Sequence, residues 1–293
     1  MLILVRGAGD LASGIALRLW HCGFDVVMTD LPRPTAIRRT VAFSDAIVHG
    51  EMTVEDVTAR RADNAAHALA LLQQGFLPVL ADSECLCREA LQPQVLVDAI
   101  LAKRNLGTAI TDAPIVIGVG PGFTAGTDCH AVVETMRGHT LGRVIYQGSA
   151  LPNTNIPGLI GGFAGERVLR APADGVFRST HAIGDRVKSG DIVGYVAGEP
   201  MRCTIDGVLR GLLADGVSVF KGMKSGDVDP RGEVSYCTTA SDKALAIGGG
   251  VLEAILHLSN SARNLLFNNI LTKSLLLRHD AWGFVKKVSL CYA

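Results

Sequence analysis

Apolar positions fall in two rhythms along the first 120 residues. Aliphatic runs of four or five residues, such as Leu2 to Val5, end in glycine and read as buried strands, whereas residues 11–20 carry Leu11, Ile15, Leu17 and Leu19 at helical spacing. The opening is therefore strand, turn, helix. A second strand over residues 24–28 follows the C-capping pair Cys22-Gly23 and closes at Thr29-Asp30, with Pro32 and Pro34 barring its continuation. Further along, the pattern predicts a helix over 64–74, a strand over 76–81, a helix over 94–101 and a strand over 115–119. Helices between short apolar strands imply a parallel sheet.

After Gly120-Pro121-Gly122 the pattern changes to two strands, 130–134 and 143–147, joined by Arg137-Gly138 in an antiparallel excursion. Residues 151–165 are dense in Pro, Asn and Gly and read as a connecting loop with a domain boundary near its end. Beyond it lies an internal repeat. Asp174-Gly175-Val176 followed by the glycine-bounded stretch 184–193 recurs as Asp206-Gly207-Val208 followed by 216–222. Short strands between tight turns make this a small all-β module.

The expected fold is thus α/β: a Rossmann-like parallel-sheet domain over 1–166, the all-β module over 167–235, and a C-terminal segment over 236–258 whose helix covers 242–258. An atypical tail occupies 259–293. In that tail one acid, Asp280, faces five bases. The rest of the chain is correspondingly acidic.

Composition narrows the function classes. A length of 293 residues with 48% apolar side chains suits two packed domains. Basic and acidic residues number 28 each, so no net field exists to hold a nucleic acid. Seven cysteines without regular spacing read as reduced thiols. The apolar N-terminal run is far shorter than a signal-peptide core, and no segment reaches membrane-spanning length. A cytoplasmic protein is expected, and a homo-oligomer is compatible with the sequence.

Gly7-Ala8-Gly9-Asp10-Leu11-Ala12 fits G-x-G-x-x-G/A at the junction of the first strand and first helix, where that pattern has meaning. Gly7 permits the tight turn, Gly9 clears the approach of a phosphate, and the N–H groups around Asp10 and Leu11 face it. Asp30 stands where a dinucleotide fold places the acid that bonds a ribose hydroxyl. Against this, the Asp10 carboxylate inside the loop would repel a phosphate. Arg38-Arg39 read equally well as a second phosphate clamp or a solvated pair.

Cys85 follows the strand ending near Ala81, the edge of an open sheet where ligands gather, although Asp82 and Glu84 oppose a lowered thiol pKa in Cys85 and Cys87. Gly120 and Gly122 are expected over the same edge as a second wall. Asp128, His130, Glu134 and His139 lack any metal-binding spacing, and no metal is expected.

The β module resembles the biotinyl/lipoyl barrel-sandwich hybrid. Its Glu199-Pro200-Met201-Arg202-Cys203 matches the biotin-acceptor pattern with arginine in place of the lysine, and a guanidinium cannot be acylated there. Neither biotin nor lipoate is expected.

Taken together, residues 6–14, 36–39, 97–105, Gly120-Pro-Gly-Phe-Thr-Ala-Gly126, 134–139 and 170–175 resemble the YqeB-type accessory proteins of selenium-dependent molybdenum hydroxylases. The similarity runs from residue 1 to about 258, with Asn155 standing where glycine is expected and the tail unmatched. The resemblance implies maturation of a molybdenum hydroxylase, with the apo-enzyme or its maturation proteins as partners and a molybdenum pterin or nucleotide cofactor at Gly7, Gly9, Asp10, Leu11, Asp30, Gly120 and Gly122. Cys85 would then carry sulfur or selenium. Two alternatives remain open: an NAD(P)-dependent oxidoreductase, and a non-catalytic adaptor that docks through the β module.

Overall fold

The computed structural model describes residues 1–259. It divides into one compact unit, Met1–Leu252, and a second from Glu253 onward. The tail expected to be atypical lies, from residue 260, outside the described residues.

The opening unit forms as the pattern dictates. β1 (Leu2–Arg6) is followed by α1 (Asp10–His21) and β2 (Asp25–Asp30), and β1 and β2 pair in parallel. Ile15, Leu17 and Leu19 of α1 are fully buried, each contributing about 1.5–3 kcal/mol by leaving water. Gly14 lets α1 approach closely: a Cβ there would lie 2.5 Å from that of Ala244.

α2 (Asp45–His49) then leads into a hairpin, β3 (Glu51–Val54) with β4 (Val57–Ala62), which the periodicity did not reveal. α3 (Ala65–Gln73) begins where the Asn64 side chain accepts the His67 N–H at 2.9 Å, the cap its sequence advertises. β5 (Leu77–Ala81), a single helical turn α4 (Arg88–Leu91), β6 (Val95–Asp98) and β7 (Ile115–Val119) follow. Next come β8 (Thr124–Ala125), β9 (Ala131–Val133), β10 (Val144–Ile145) and β11 (Gly148–Ser149).

Among the described residues nine of these strands make one sheet in the order β10-β9-β7-β6-β1-β2-β5-β4-β3. The helix expected over 94–101 is strand β6. Val95 to Asp98 are buried throughout because β1 lies on one side and β7 on the other.

The expected Rossmann-like parallel sheet is corrected. The sheet is mixed, with β3 and β10 antiparallel at its two edges, and the chain crosses from β6 to β7 through residues 99–114 without a helix. Its parallel strands nevertheless bring the ends at Arg6, Asp30, Ala81 and Asp98 to one edge.

The all-β region comprises β12 (Val168–Arg170), β13 (Gly175–Ser179), β14 (Arg186–Val187), β15 (Ile192–Val196), β16 (Glu199–Arg202), β17 (Gly207–Leu212), β18 (Ser218–Val219) and β19 (Lys224–Asp229). They form two four-stranded sheets, β12-β19-β17-β14 and β16-β15-β13-β18, around a core that includes Phe177, Val193, Leu209 and Val228.

The barrel-sandwich hybrid module expected over 167–235 is corrected too. The Leu212 N–H donates to the Ile37 carbonyl at 2.7 Å, Arg39 Nε donates to the Leu212 carbonyl at 3.0 Å, and the region belongs to the same compact unit as the large sheet. Arg202 sits within β16, its guanidinium donating to the Gly190 carbonyl. A final helix, α5, runs over residues 242–259. No helix among the described residues is long and apolar enough to cross a membrane.

Candidate functional site

Gly7 and Gly9 are glycines for different reasons. Gly7 has φ +103°, and a Cβ there would lie 2.9 Å from the Ala99 carbonyl oxygen, so the turn itself excludes a side chain. Gly9 has an ordinary φ of −69°, and a Cβ on it would meet no atom within 4 Å. Its bareness keeps space open. That space is a cavity of about 800 Å³ at the carboxyl ends of β1, β2 and β6, lined by Gly7, Gly9, Asp10, Leu11 and Asp30 and by the chain from Ala99 to Gly107. α1 starts at Gly9 without a side-chain cap, so its first-turn N–H groups lack intrahelical acceptors.

Asp30 closes the floor. Its carboxylate accepts the N–H groups of Ala8 and Leu31, each at 2.7 Å. Burial raises its pKa above the ordinary value, against the pull of those two donors.

Asp10 does not stand alone. Arg38 pairs with it at 3.1 Å and also donates to the carbonyls of Tyr236 and Thr239, so the acid inside the loop is answered by a buried guanidinium. Neither arginine of the pair is free for a phosphate. Arg38 is fixed in this way, and Arg39 is turned toward Leu212.

The roof of the cavity was not legible in the sequence. Arg6, 5% exposed, donates to the Leu106 carbonyl at 3.1 Å and to the Thr108 hydroxyl at 3.0 Å, and lies 3.4 Å from Asp98. Thr108 in turn donates to Asp98 at 2.6 Å. Asn105 shapes the turn by accepting the Gly107 and Thr108 N–H groups. The Asn-Leu-Gly sequence is the only local signal of this loop.

Cys85 follows β5 in a left-handed conformation, φ +57°, and is 2% exposed. It lines a smaller cavity of about 250 Å³ that shares Arg6, Glu84, Leu106 and Gly107 with the larger one. The Cys87 thiol hydrogen-bonds to its sulfur and holds the Cys85 pKa below the usual thiol range. The Thr29 hydroxyl and Arg6 act in the same direction, and burial and Asp82 oppose them. Cys87, the donor, is pushed far upward. The strongest influence is Cys87, two residues along, and Asp82 opposes it as its place beside the thiol implies.

Gly120 and Gly122 do not line the large cavity, and that expectation is corrected as well. Gly120 (φ +83°) packs on Thr135, where a Cβ would lie 2.8 Å from the hydroxyl oxygen. At Gly122 (φ +110°) a Cβ would meet the Arg104 Cα at 2.5 Å. Both are glycines so that loops can touch.

Asp128, His130 and Glu134 are occupied in building turns, accepting the N–H groups of Thr124, Val116 and Thr135 respectively. Among the described residues no three His, Cys, Asp or Glu are grouped to hold a metal ion.

No family model matches the sequence. Among curated proteins the chain is 54% identical over 257 residues to the uncharacterized protein YqeB of Escherichia coli (strain K12), a match covering 88% of this chain. The chain spans about half the length of that relative, 48%.

Solved structures give shallow likenesses. A succinylglutamate desuccinylase/aspartoacylase from Rhodobacter sphaeroides shares 24% identity over 22% of each chain at a TM-score of 0.20. An aspartoacylase family protein from Mesorhizobium loti shares 11% over 78% of this chain and 84% of its own, at 0.25. The ectoine utilization protein EutE (DoeB) from Ruegeria pomeroyi shares 10% over the same proportions, at 0.24. At such scores none of them lends this chain a fold or an activity.

The role in maturing a selenium-dependent molybdenum hydroxylase is withdrawn. The matched relative is described as uncharacterized, and its description carries no such role. What stands is the sequence relationship: at 54% identity over 88% of its length, the chain is a relative of YqeB across about half of that protein.

Proposed function

We propose that the chain binds a nucleotide-type small molecule in the large cavity, with a phosphate on the first turn of α1 and a ribose hydroxyl on Asp30. The observation that carries this reading is the open space over Gly9, bounded by uncapped helix N–H groups on one side and by the Asp30 carboxylate on the other. A volume of about 800 Å³ is of the size that small-ligand sites occupy. The pairing of Asp10 with Arg38 supports the reading, because it removes the negative charge that would otherwise face the phosphate.

Asp30 also sets a preference. A carboxylate at the ribose accepts from free hydroxyls and repels a phosphate there, so unphosphorylated riboses are favoured. Cys85 lines the small cavity that shares Arg6, Glu84, Leu106 and Gly107 with this site. Its thiol, held low, gives it the character of a nucleophile toward a ligand that extends past Arg6.

Isothermal titration of the purified chain with ADP, NAD⁺ and NADP⁺ tests the assignment. The expected result is binding of ADP and NAD⁺ with at least tenfold weaker binding of NADP⁺. Binding of none of the three overturns it.

A further inference from the structure

A second cavity, of about 540 Å³, lies within the same compact unit and shares Asp10, Leu11 and Leu101 with the first. Seven of its lining side chains are cationic and only two, Asp10 and Asp227, are acidic. Most of that positive charge is already matched. Arg137 holds Asp242 through two bonds of 2.6 and 2.9 Å, Arg167 and Arg210 both hold Asp227 at 2.5 Å, and Arg210 also reaches Asp229 at 2.9 Å.

Two lysines are different. Among the described residues neither Lys224, at the start of β19, nor Lys243, in the first turn of α5, has a side-chain hydrogen bond or ion pair within the chain. Solvent reaches Lys224 although the cavity walls surround it. Burial lowers the pKa of both; Arg137 and Lys224 lower Lys243 further, while the Asp227 and Asp10 carboxylates pull Lys224 upward and Asp10 and Glu134 pull Lys243 upward. Lys243 has a further disadvantage: a cation in a helix's first turn opposes the helix dipole. Nearby carboxylates act on both lysines, but among the described residues none pairs directly with either ammonium group, and burial disfavours both charges.

We propose that this second cavity binds a phosphoryl-bearing anion between Lys224 and Lys243. The arginine forks, which match carboxylates in paired geometry, are taken up by aspartates, and the groups left free are ammonium point charges without a fixed fork. Such charges suit the several oxygens of a phosphoryl group. The site stands whether or not the first cavity holds a nucleotide.

The test is titration calorimetry of the full chain with inorganic pyrophosphate and with citrate, at low and moderate salt. The proteins are the wild type, the double variant Lys224→Met/Lys243→Met, Gly9→Val, and Gly9→Val carrying both lysine substitutions. Gly9→Val, in which the first cavity's phosphate space is filled, should still bind pyrophosphate and bind it more tightly than citrate, and adding the two lysine substitutions to it should weaken that binding at least tenfold. Without ligand, the double variant should melt no lower than wild type, since it removes two charges that burial disfavours and breaks no direct hydrogen bond or ion pair among the described residues. Any of four results overturns the proposal: no pyrophosphate binding by Gly9→Val, unchanged binding when the two lysine substitutions are added to it, tighter binding of citrate, or a lower melting temperature of the ligand-free double variant.

Discussion

The cavity at the glycine turn and the cavity lined by Lys224 and Lys243 share Asp10 and Leu11 and are built on opposite electrostatic plans. Around the glycine turn the charges nearest the ligand space are answered inside the protein: Asp10 by Arg38, Arg6 by Asp98, and Asp30 by two backbone N–H groups. Selectivity there rests on backbone donors and on space left by a missing side chain. In the second cavity, among the described residues, Lys224 and Lys243 make no side-chain hydrogen bond or ion pair. One site is shaped by absence and the other by excess charge, and substitutions should separate them.

The largest expected effect is in the walls of the second cavity. Asp227, 2% exposed, is held by Arg167 and Arg210, and Asp227→Asn would leave buried Arg167 without its counter-charge and Arg210 with Asp229 alone. Loss of a buried partner costs about 3–5 kcal/mol, readable by urea denaturation. A loss below about 1 kcal/mol would show that water reaches this network freely.

Next comes the glycine turn. Gly7→Val forces a β-branched residue to φ +103° against the Ala99 carbonyl and should cost about 1–3 kcal/mol, measured in the same way. Gly9→Val should cost little, because nothing occupies its Cβ space and its φ is ordinary. Equal losses at the two positions would erase the distinction between a glycine required by the turn and one required by the ligand.

Smaller effects fall on single groups. Cys87→Ala removes the donor that holds the Cys85 thiol low, so the pH profile of Cys85 alkylation should move to higher pH, with slower reaction at pH 7. An unchanged profile would assign the low pKa to Thr29 and Arg6.

Smallest is Asp242, whose pairing with Arg137 lowers its pKa to about 2. Because the folded value lies below the unfolded one of about 3.9, the contribution is present above pH 4 and lost as pH falls toward 2. The side chain is 71% exposed, so Asp242→Asn should lower stability by only about 0.2–1 kcal/mol at pH 7 and by nothing at pH 2.

How much of this was legible in the sequence differs between the two sites in the same way. The first cavity begins in a strand, a turn and a helix that are contiguous, so Gly7, Gly9, Asp10, Leu11 and Asp30 could be placed by local pattern and spacing. Where neighbours distant in sequence decide, local reading failed. Val95–Asp98 became a strand because β1 and β7 flank it, and the β3–β4 hairpin turns at Glu55, φ +55°, without the glycine that would have announced it. Gly120 and Gly122 looked like site glycines because Thr135 and Arg104, their real reasons, lie elsewhere in the chain. The second cavity joins Asp10, Arg137, Lys224 and Lys243, which no spacing rule connects.

The central claim is that Gly9 is bare for a ligand's sake. Calorimetric titration of ADP into wild type and Gly9→Val, alongside their melting temperatures, tests it most directly. The account predicts 1:1 binding to the wild type, at least tenfold weaker binding to Gly9→Val, and melting temperatures within about 2 °C of each other. Equal binding by the two proteins would contradict it.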